Sequence, residues 1–238
     1  MRWQGVLAVC SILVGSLSGC ISAEEFQPFD SSRVILLQMA PLAAGEDIAV
    51  LKTDYGEIRM RFFPSEAPEA VSNFKALAQQ GFYNEKPFLY ASKFLKNGER
   101  CLLSGSSSAD GRKGISAVNG GKPFKKEVSG NLWHFTGAVS VLGDRSERGD
   151  SRFFITGSRE VPKDTLEEIR KASYPSKVIE AFEEQGGMPE FALEYTVFAQ
   201  VYAGQETVDR ILSEIGEGEE LVIRTVEITE YDEQANKP

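Results

Sequence analysis

The stretch Ser151-Arg152-Phe153-Phe154-Ile155-Thr156 determines how the rest of the chain is interpreted. It is a short run of aromatic and branched residues beside small polar ones, which is typical of a β-strand. Side chains alternate along a strand, so Arg152 and Phe154 share one face while Phe153 and Ile155 share the other. Two interpretations follow. Either both faces are buried by packing, or one ring enters the core and the other is available to a ligand.

This strand also resembles a known family. The stretch 150–156, Asp-Ser-Arg-Phe-Phe-Ile-Thr, is similar to the Ser-Gln-Phe-Phe-Ile run of cyclophilins, the peptidyl-prolyl cis-trans isomerases. Other stretches resemble the family's hairpins, first helix, closing strand and closing helix in the same order: 51–58, 63–68, 71–74, 81–83, 137–141, 196–201 and 208–211. The similarity extends from about residue 48 to residue 229.

The resemblance implies a mainly β fold, a closed eight-stranded antiparallel β-barrel capped by two helices, formed here by residues 48–230. The stretch 57–63 supports a strand, because its apolar residues alternate with two arginines as on a sheet with one buried face. The segment 231–238 is a polar tail that is expected to fray.

Local signals predict several elements of this domain. Ser65 and Pro68 predict the start of a helix that ends at Gly81. Asn97-Gly98 lies between two apolar runs and predicts a hairpin. The stretch 104–122 is rich in glycine and serine and predicts a long surface loop, which in the family lines the substrate groove.

The largest departure from the family is an insertion at about 158–189, where cyclophilins have a short loop. Thr165 with Glu168 fits a capping box, and Pro175 separates this segment from a second amphipathic run that ends at Gly186. We therefore expect two short helices, which their order in the chain places beside the substrate pocket.

The N-terminal stretch 1–19 is typical of a signal peptide, because one arginine precedes an apolar run too short to span a bilayer. It ends in Leu17-Ser18-Gly19-Cys20, which resembles the lipobox of bacterial lipoproteins and implies lipidation of Cys20. Residues 20–47 would then form a lipidated tether. The alternative is an ordinary secretory signal followed by a chance cysteine. A lipid anchor implies a location at the bacterial cell envelope, and Ile21 favours the periplasmic face of the outer membrane by resemblance.

Composition argues against two classes of ligand, nucleic acids and metal ions. Acidic residues outnumber basic ones by 35 to 26, which argues against nucleic acid. The single histidine, His134, has no cysteine or carboxylate at ligand spacing, so we predict a structural role and no metal site. Cys101 is left without a disulfide partner once the two N-terminal cysteines are assigned to the signal and the anchor, and we interpret it as a small apolar strand residue.

The chemistry follows from the slow rotation about an X-Pro bond, whose barrier is roughly 18–20 kcal/mol because the C–N bond has double-bond character. In the family an apolar pocket holds the proline ring, and an arginine in a Phe-His-Arg run faces the prolyl nitrogen, with no metal, cofactor or covalent intermediate. Here the run is Phe88-Leu89-Tyr90, and Leu103 replaces the glutamine that orients the arginine. A neutral phenol at Tyr90 lacks the charge and fork of a guanidinium, so weak catalysis is implied.

The resemblance also implies which residues form the substrate pocket. They are the floor Phe154, the neighbouring wall Val141 and Leu142, the backbone of Gly143, and the further positions Phe191, Tyr195 and Leu103. Arg152 replaces a family glutamine on the same strand face as Phe154. Two interpretations of Arg152 stay open: it replaces the missing catalytic donor, or it is a solvated surface arginine.

Two functions are consistent with these residues. The first is a cyclophilin-type peptidyl-prolyl isomerase, weakened by Tyr90, which assists the folding of exported proteins at the cell envelope by acting on their proline-containing segments. The second is a non-catalytic cyclophilin-like lipoprotein that binds a peptide or a partner protein through the same pocket. Turnover of a prolyl peptide distinguishes the two.

Overall fold

The computed structural model describes residues 33–143, 148–215 and 220–233. The expected signal peptide, Cys20, the first part of the expected tether and the end of the polar tail lie outside these ranges. The strands are β1 Asp47–Thr53, β2 Gly56–Phe62, β3 Lys86–Pro87, β4 Leu89–Tyr90, β5 Cys101–Ser104, β6 Ala138–Val141, β7 Phe153–Thr156, β8 Thr196–Ala203, β9 Val222–Ile223 and β10 Thr225–Glu230. The α-helices are α1 Pro68–Gln79, α2 Lys163–Lys171, α3 Ser176–Gln185 and α4 Gln205–Glu214. Across these ranges, no helix is both long and apolar enough to cross a bilayer.

Eight strands form one antiparallel sheet in the order β10-β1-β2-β8-β6-β7-β5-β4, which curls strongly into an open half-barrel. The expected closed barrel is not what the pairing shows, because no ladder joins β4 to β10 in the described part of the chain. The segments that precede these two edge strands pair with each other instead. β3 precedes β4, β9 precedes β10, and β3 and β9 pair with each other as a separate two-stranded sheet. β4 itself is only two residues long and leads into a 3₁₀ turn.

The main core is built around an aromatic ring of α1. The ring centroid of Phe74 lies 4.6 Å from that of Tyr83, 5.4 Å from that of Phe153 in β7 and 5.5 Å from that of Phe198 in β8. Phe153 therefore belongs to the main core, while Phe154 points to the opposite face of the sheet. Both rings are buried, with exposed fractions of 1% and 0%, so the interpretation in which both strand faces are buried is correct.

Helix α1 does not begin as the sequence signal predicted. The residue before it is Ala67, and within the described residues no side chain of this stretch caps the helix; the Ser65 hydroxyl lies 3.5 Å from the neighbouring Glu66 carboxylate. The free N–H groups of the first turn instead donate to the Glu127 carboxylate, at 3.0 Å from the nitrogen of Glu69 and 2.9 Å from that of Ala70. A distant carboxylate thus caps the helix, because its negative charge also suits the positive end of the helix dipole.

The insertion contains the two predicted helices, α2 and α3. Helix α2 starts at Lys163, after Pro162, so Thr165 lies inside the first turn and is not its cap. The helices cover a second apolar cluster in which the ring centroids of Phe135 and Phe182 are 4.6 Å apart. Val34, from the chain before the domain, is buried in the same cluster.

The chain that precedes β1 is fastened to the domain. The Gln38 side chain donates to the Trp133 carbonyl at 2.8 Å and accepts from the Trp133 backbone nitrogen at 2.7 Å. It also donates to the Gln200 side chain at 2.7 Å. The buried residues of this segment are Val34 and Gln38, whereas Met39, which the apolar pattern included, is 41% exposed. The described part of the expected tether therefore packs against the domain from Val34 onward.

The predicted hairpin after β4 is present with a longer connection than its Asn-Gly signal indicates. Strands β4 and β5 pair antiparallel, with Tyr90 opposite Leu102. Between them the chain forms 3₁₀ turns at Ala91–Lys93 and Gly98–Arg100, and Asn97 has a φ of 62°. Asn97 is thus a left-handed residue within a ten-residue connection, 91–100, and does not form a two-residue turn.

Replacing Glu127 with alanine is expected to lower the free energy of unfolding by about 1 kcal/mol, because the first turn of α1 loses its acceptor. Urea denaturation followed by circular dichroism measures this. Ser65→Ala is the matched control, and its effect should stay within about 0.5 kcal/mol. Equal losses in both variants would show that the Glu127 carboxylate is not the cap.

Candidate functional site

The strand register decides which predicted residues face the site. Opposite residues on neighbouring antiparallel strands share a face of the sheet. Leu89 is opposite Leu103, and Leu103 is opposite Phe154, so these three side chains lie together. Tyr90 is opposite Leu102, which lies in the main core, so Tyr90 belongs to the other face. Tyr90, which the resemblance places at the family's arginine position, is therefore turned away from Phe154.

Tyr90 has a partner of its own on that side. Its hydroxyl donates to the backbone carbonyl of Ile215, which follows α4, and the amine of Lys93 lies 5.7 Å from the centre of its ring. The ring is 42% exposed. The structure thus does not bring Tyr90 together with the predicted pocket residues.

Phe154 is sealed by aromatic neighbours. Its ring centroid lies 5.2 Å from that of Tyr195 and 5.8 Å from that of Phe191, both edge to face. The imidazole of His134 is parallel to it at 6.3 Å. Phe154 and Leu103 have no exposed surface and Phe191 only 2%. The predicted floor of the pocket is therefore covered, and Tyr195 is the member of this cluster that reaches the surface of a cavity.

The cavity beside this cluster has a volume of about 830 Å³, which suits a short peptide. It is lined by Lys93, Phe94, Asp110, Arg112, Lys113, Lys126, Val141, Leu142, Gly143, Gly149, Arg152, Glu194, Tyr195 and Thr196. Five of the predicted site residues are among these: Val141, Leu142, Gly143, Arg152 and Tyr195. The lining excludes Phe154, Leu103, Phe191 and Tyr90.

Arg152 is a buried charged residue at the cavity, with only 5% of its surface exposed. Its Nη2 lies 2.6 Å from the Asp150 carboxylate, and its Nε lies 3.0 Å from the same group. Nη1 donates to the carbonyl of Arg112 at 3.0 Å and Nη2 to that of Gly143 at 2.7 Å. The interpretation of Arg152 as a solvated surface arginine is therefore wrong.

Among the residues that the structure describes, these bonds occupy all but one of the guanidinium's donors. Nε uses its one N–H, Nη2 uses two and Nη1 uses one, which is four of the five donors of an arginine. Asp150 fits because Gly114 lies against it: a Cβ at Gly114 would come within 2.1 Å of the carboxylate. The remaining N–H of Nη1 is the group that a substrate carbonyl or amide can engage.

The glycine- and serine-rich loop that was predicted as a surface loop is fastened to the site strand. The Ser151 hydroxyl donates to the Gly105 carbonyl at 2.7 Å and accepts from the Ile115 nitrogen at 3.1 Å. The Asn73 side chain of α1 accepts from the Ala117 nitrogen at 2.7 Å. This loop also supplies the Arg112 carbonyl to Arg152, so it is part of the wall that positions the guanidinium.

With this geometry in hand, the relationship to known proteins is clear. The sequence model of the family described as "Cyclophilin type peptidyl-prolyl cis-trans isomerase/CLD" matches residues 48–233. The chain belongs to the cyclophilin-type peptidyl-prolyl cis-trans isomerases. The predicted family and its enzyme class, an isomerase, are confirmed.

Relatives support the same assignment. A Staphylococcus aureus (strain USA300) protein named "Putative peptidyl-prolyl cis-trans isomerase" is 31% identical over 168 residues, which are 70% of this chain and 81% of the relative. A Staphylococcus saprophyticus protein of the same name is 30% identical over 163 residues, 68% of this chain and 79% of that one.

Two solved structures show the fold. A crystal structure of a Cryptosporidium parvum cyclophilin type peptidyl-prolyl cis-trans isomerase has a TM-score of 0.58 at 20% identity, covering 79% of this chain and 99% of that one. The same Cryptosporidium parvum protein, crystallised in the presence of the dipeptide Ala-Pro, has a TM-score of 0.56 at 21% identity and covers 76% and 98% of the two chains.

Sequence reasoning missed several residues of this cyclophilin's site. Asp150 carries a signal that could have revealed it, because an acid two residues before Arg152 can lie on the same side of an extended chain. Asn73 and Gly114 carry no such signal, since their contacts join positions far apart in the sequence.

Two buried ionisable groups near the site of this cyclophilin, Cys101 and His134, are uncharged near pH 7. Burial raises the pKa of the Cys101 thiol to about 12, with the nearby Glu190 adding to the effect, so Cys101 is an inert strand residue as predicted. Burial lowers the pKa of His134 from 6.5 to about 3, and within the described residues neither ring nitrogen has a hydrogen-bond partner. The imidazole is neutral near pH 7 and acts as part of the aromatic cluster. No group of three or more histidine, cysteine or acidic residues in these ranges could hold a metal ion.

His134 is expected to make the protein sensitive to acid. Below pH 6.5 the unfolded chain binds a proton that the folded imidazole does not take up until about pH 3, so stability is lost as pH falls through this window. Relative to His134→Leu, the parent should lose about 3 kcal/mol between pH 7 and pH 4.

Urea denaturation of both proteins at the two pH values measures this difference, and the contribution of the carboxylates cancels in the comparison. A parent and variant whose free energies of unfolding fall in parallel would contradict the account.

Proposed function

We propose that this cyclophilin is a slow peptidyl-prolyl isomerase whose substrate groove is the cavity beside Arg152. The observation that supports it is the buried guanidinium of Arg152 at this cavity, which is bonded to Asp150 and to the carbonyls of Arg112 and Gly143. The apolar wall of the same cavity is formed by Val141, Leu142 and Tyr195. The family supplies the reaction, and proline-containing polypeptides are the substrates. No metal or cofactor is needed, because bond rotation requires neither electrons nor a nucleophile.

Arg152 would lower the rotation barrier by electrostatics. A donor aimed at the prolyl amide draws its lone pair away from the carbonyl and so weakens the double-bond character that makes rotation slow. A charge-assisted hydrogen bond is roughly twice as strong as a neutral one. Because Arg152 is already fixed by Asp150 and two carbonyls, little reorganisation is needed when the substrate rotates.

The same contacts explain why the reaction would be slow. The Asp150 carboxylate offsets the charge of Arg152, and acceptors in the described part of the chain already occupy all but one of its N–H groups. Tyr90, which the resemblance places at the family's arginine position, faces away from Phe154. The reaction would thus be slow for two reasons. A tyrosine replaces the family's arginine, and the donor that takes its place, Arg152, lies at a different position.

A second function, a non-catalytic peptide-binding module, is favoured by one observation. The ring of Phe154 is covered by Phe191 and Tyr195, so a proline ring cannot reach the family's pocket floor without moving them. A peptide would then lie in the cavity without its prolyl bond being held. Such a protein would bind prolyl peptides and leave their cis-trans exchange rate unchanged.

The Arg152 donor is tested by nuclear magnetic resonance exchange between the cis and trans forms of a prolyl peptide. Arg152→Lys is expected to lower kcat/KM about tenfold or more, because it loses the forked donor worth roughly 1.5–3 kcal/mol. Tyr90→Phe is the control, and it should stay within about twofold of the parent.

Circular dichroism spectra that match the parent would show that the variants are folded. Full activity in Arg152→Lys would exclude the arginine as the donor. A parent that binds the peptide without speeding its exchange would establish the second function.

The place of action is also a proposal: the protein assists exported proteins from a lipid anchor at the bacterial cell envelope. It is supported by the apolar stretch 6–14 followed by Leu17-Ser18-Gly19-Cys20. Residues 21–32 separate Cys20 from the first described residue, and the 13 steps from Cys20 to residue 33 can span at most about 47 Å. An anchor at Cys20 would therefore hold the cyclophilin domain close to the bilayer surface.

Cys20→Ser is expected to move the protein from the membrane to the soluble fraction, because it removes the thiol that would carry the lipid. Fractionation of bacteria that express each form, with immunoblotting, measures the distribution. Cys101→Ser is the matched control and should stay with the membrane. Retention of Cys20→Ser at the membrane would contradict the anchor.

A further inference from the structure

The cavity and the buried cluster around Phe154 share three side chains. Phe94, Leu142 and Tyr195 line the cavity, and the same three residues pack against the apolar cluster that contains Phe154. Phe191 covers this ring as well, since its own ring centroid lies 5.8 Å from that of Phe154 and 5.2 Å from that of Tyr195. A ligand in the cavity is therefore close to an aromatic surface that it cannot touch while these side chains stay in place.

Phe191 lies on a short turn that makes hydrogen bonds within its own segment. It is the last residue of the 3₁₀ turn Pro189–Phe191. Its backbone nitrogen donates to the Met188 carbonyl at 3.0 Å, and its carbonyl accepts from the Glu194 nitrogen at 3.1 Å. Leu193 has a φ of 63°, which is unfavourable for a residue other than glycine. A movement of this turn can keep both bonds and release Leu193 from that conformation.

The imidazole of His134 borders the same space. Its ring lies parallel to that of Phe154 at 6.3 Å, and it meets Phe191 at 5.8 Å and Tyr195 at 6.2 Å edge to face. It is 1% exposed, and neither nitrogen has a hydrogen-bond partner among the described residues. Buried polar groups without a partner are rare and destabilising in native proteins. A peptide group that reached this imidazole would supply a partner and recover part of that cost.

From these contacts we propose that Phe191 is a gate: its ring must leave Phe154 before a prolyl ring can pack there beside His134. The proposal rests on the proposed function and specifies what regulates it. A prolyl ring is smaller than a phenyl ring, so it fits the space that Phe191 vacates. When the form that can bind is a minor state, the apparent affinity falls by the fraction of that form. The closed gate is thus a third reason for slow turnover.

The gate is tested in the full chain with Phe191→Leu, which keeps an apolar side chain and removes the ring that covers Phe154. Nuclear magnetic resonance measures cis-trans exchange of the peptide Ala-Ala-Pro-Ala, and kcat/KM should rise about tenfold because the open form is no longer a minor state. Phe182→Leu is the matched control, since Phe182 is fully buried in the cluster under the insertion and does not line the cavity. It should stay within about twofold of the parent.

His134 gives a direct readout of the opened gate. It is the only histidine in the chain, so its ring signals are unambiguous in nuclear magnetic resonance spectra. Ala-Ala-Pro-Ala should shift these signals in Phe191→Leu at a lower peptide concentration than in the parent. Ala-Ala-Ala-Ala, which has no prolyl ring, should leave them unchanged in both proteins. The shift in the parent at saturating peptide tests the gate even if a variant fails to fold.

The possible results separate the gate from the isomerase function. Unchanged activity in a folded Phe191→Leu, with His134 signals that the prolyl peptide does not shift, would overturn the gate and leave the parent's exchange activity standing. An equal gain in Phe182→Leu would show that a loosened fold is responsible, which also overturns the gate. If the prolyl peptide shifts the His134 signals and neither protein speeds its exchange, the gate stands and the isomerase function is overturned.

Discussion

The site depends on one buried ion pair, Arg152 with Asp150. Both side chains are about 5% exposed, so each would be costly to bury alone. The structure satisfies them with the carbonyls of Arg112 and Gly143 and with the backbone nitrogen of Arg152. Because those carbonyls come from two different loops, the ion pair fixes the shape of the groove as well as the direction of the guanidinium.

The pair also constrains the backbone around it. Gly114 leaves the space that the Asp150 carboxylate fills. The Asn73 side chain donates to the Asp150 carbonyl at 3.3 Å and ties the same turn to α1. The buried charge of Arg152 is thus supported by contacts from α1 and from the glycine- and serine-rich loop, and these contacts fasten the loop to the sheet.

Strand register separates Tyr90 from Phe154. A two-residue β4 leaves Leu89 on the side of Phe154 and turns Tyr90 toward Ile215. The aromatic residues Phe191 and Tyr195 then occupy the space above Phe154. This cyclophilin therefore has a sealed apolar cluster around Phe154, and the cavity lies beside that cluster, where Tyr195 and Arg152 line it.

The sequence alone determined the family, the two faces of strand β7 and the two helices of the insertion, because alternation, helical spacing and proline breaks are local properties of the chain. Only the tertiary structure decided that the sheet stays open, that Glu127 caps α1, that Phe154 is sealed and that Arg152 is paired. Each of these depends on contacts between residues distant in sequence, and no local pattern records which distant partner a side chain will meet.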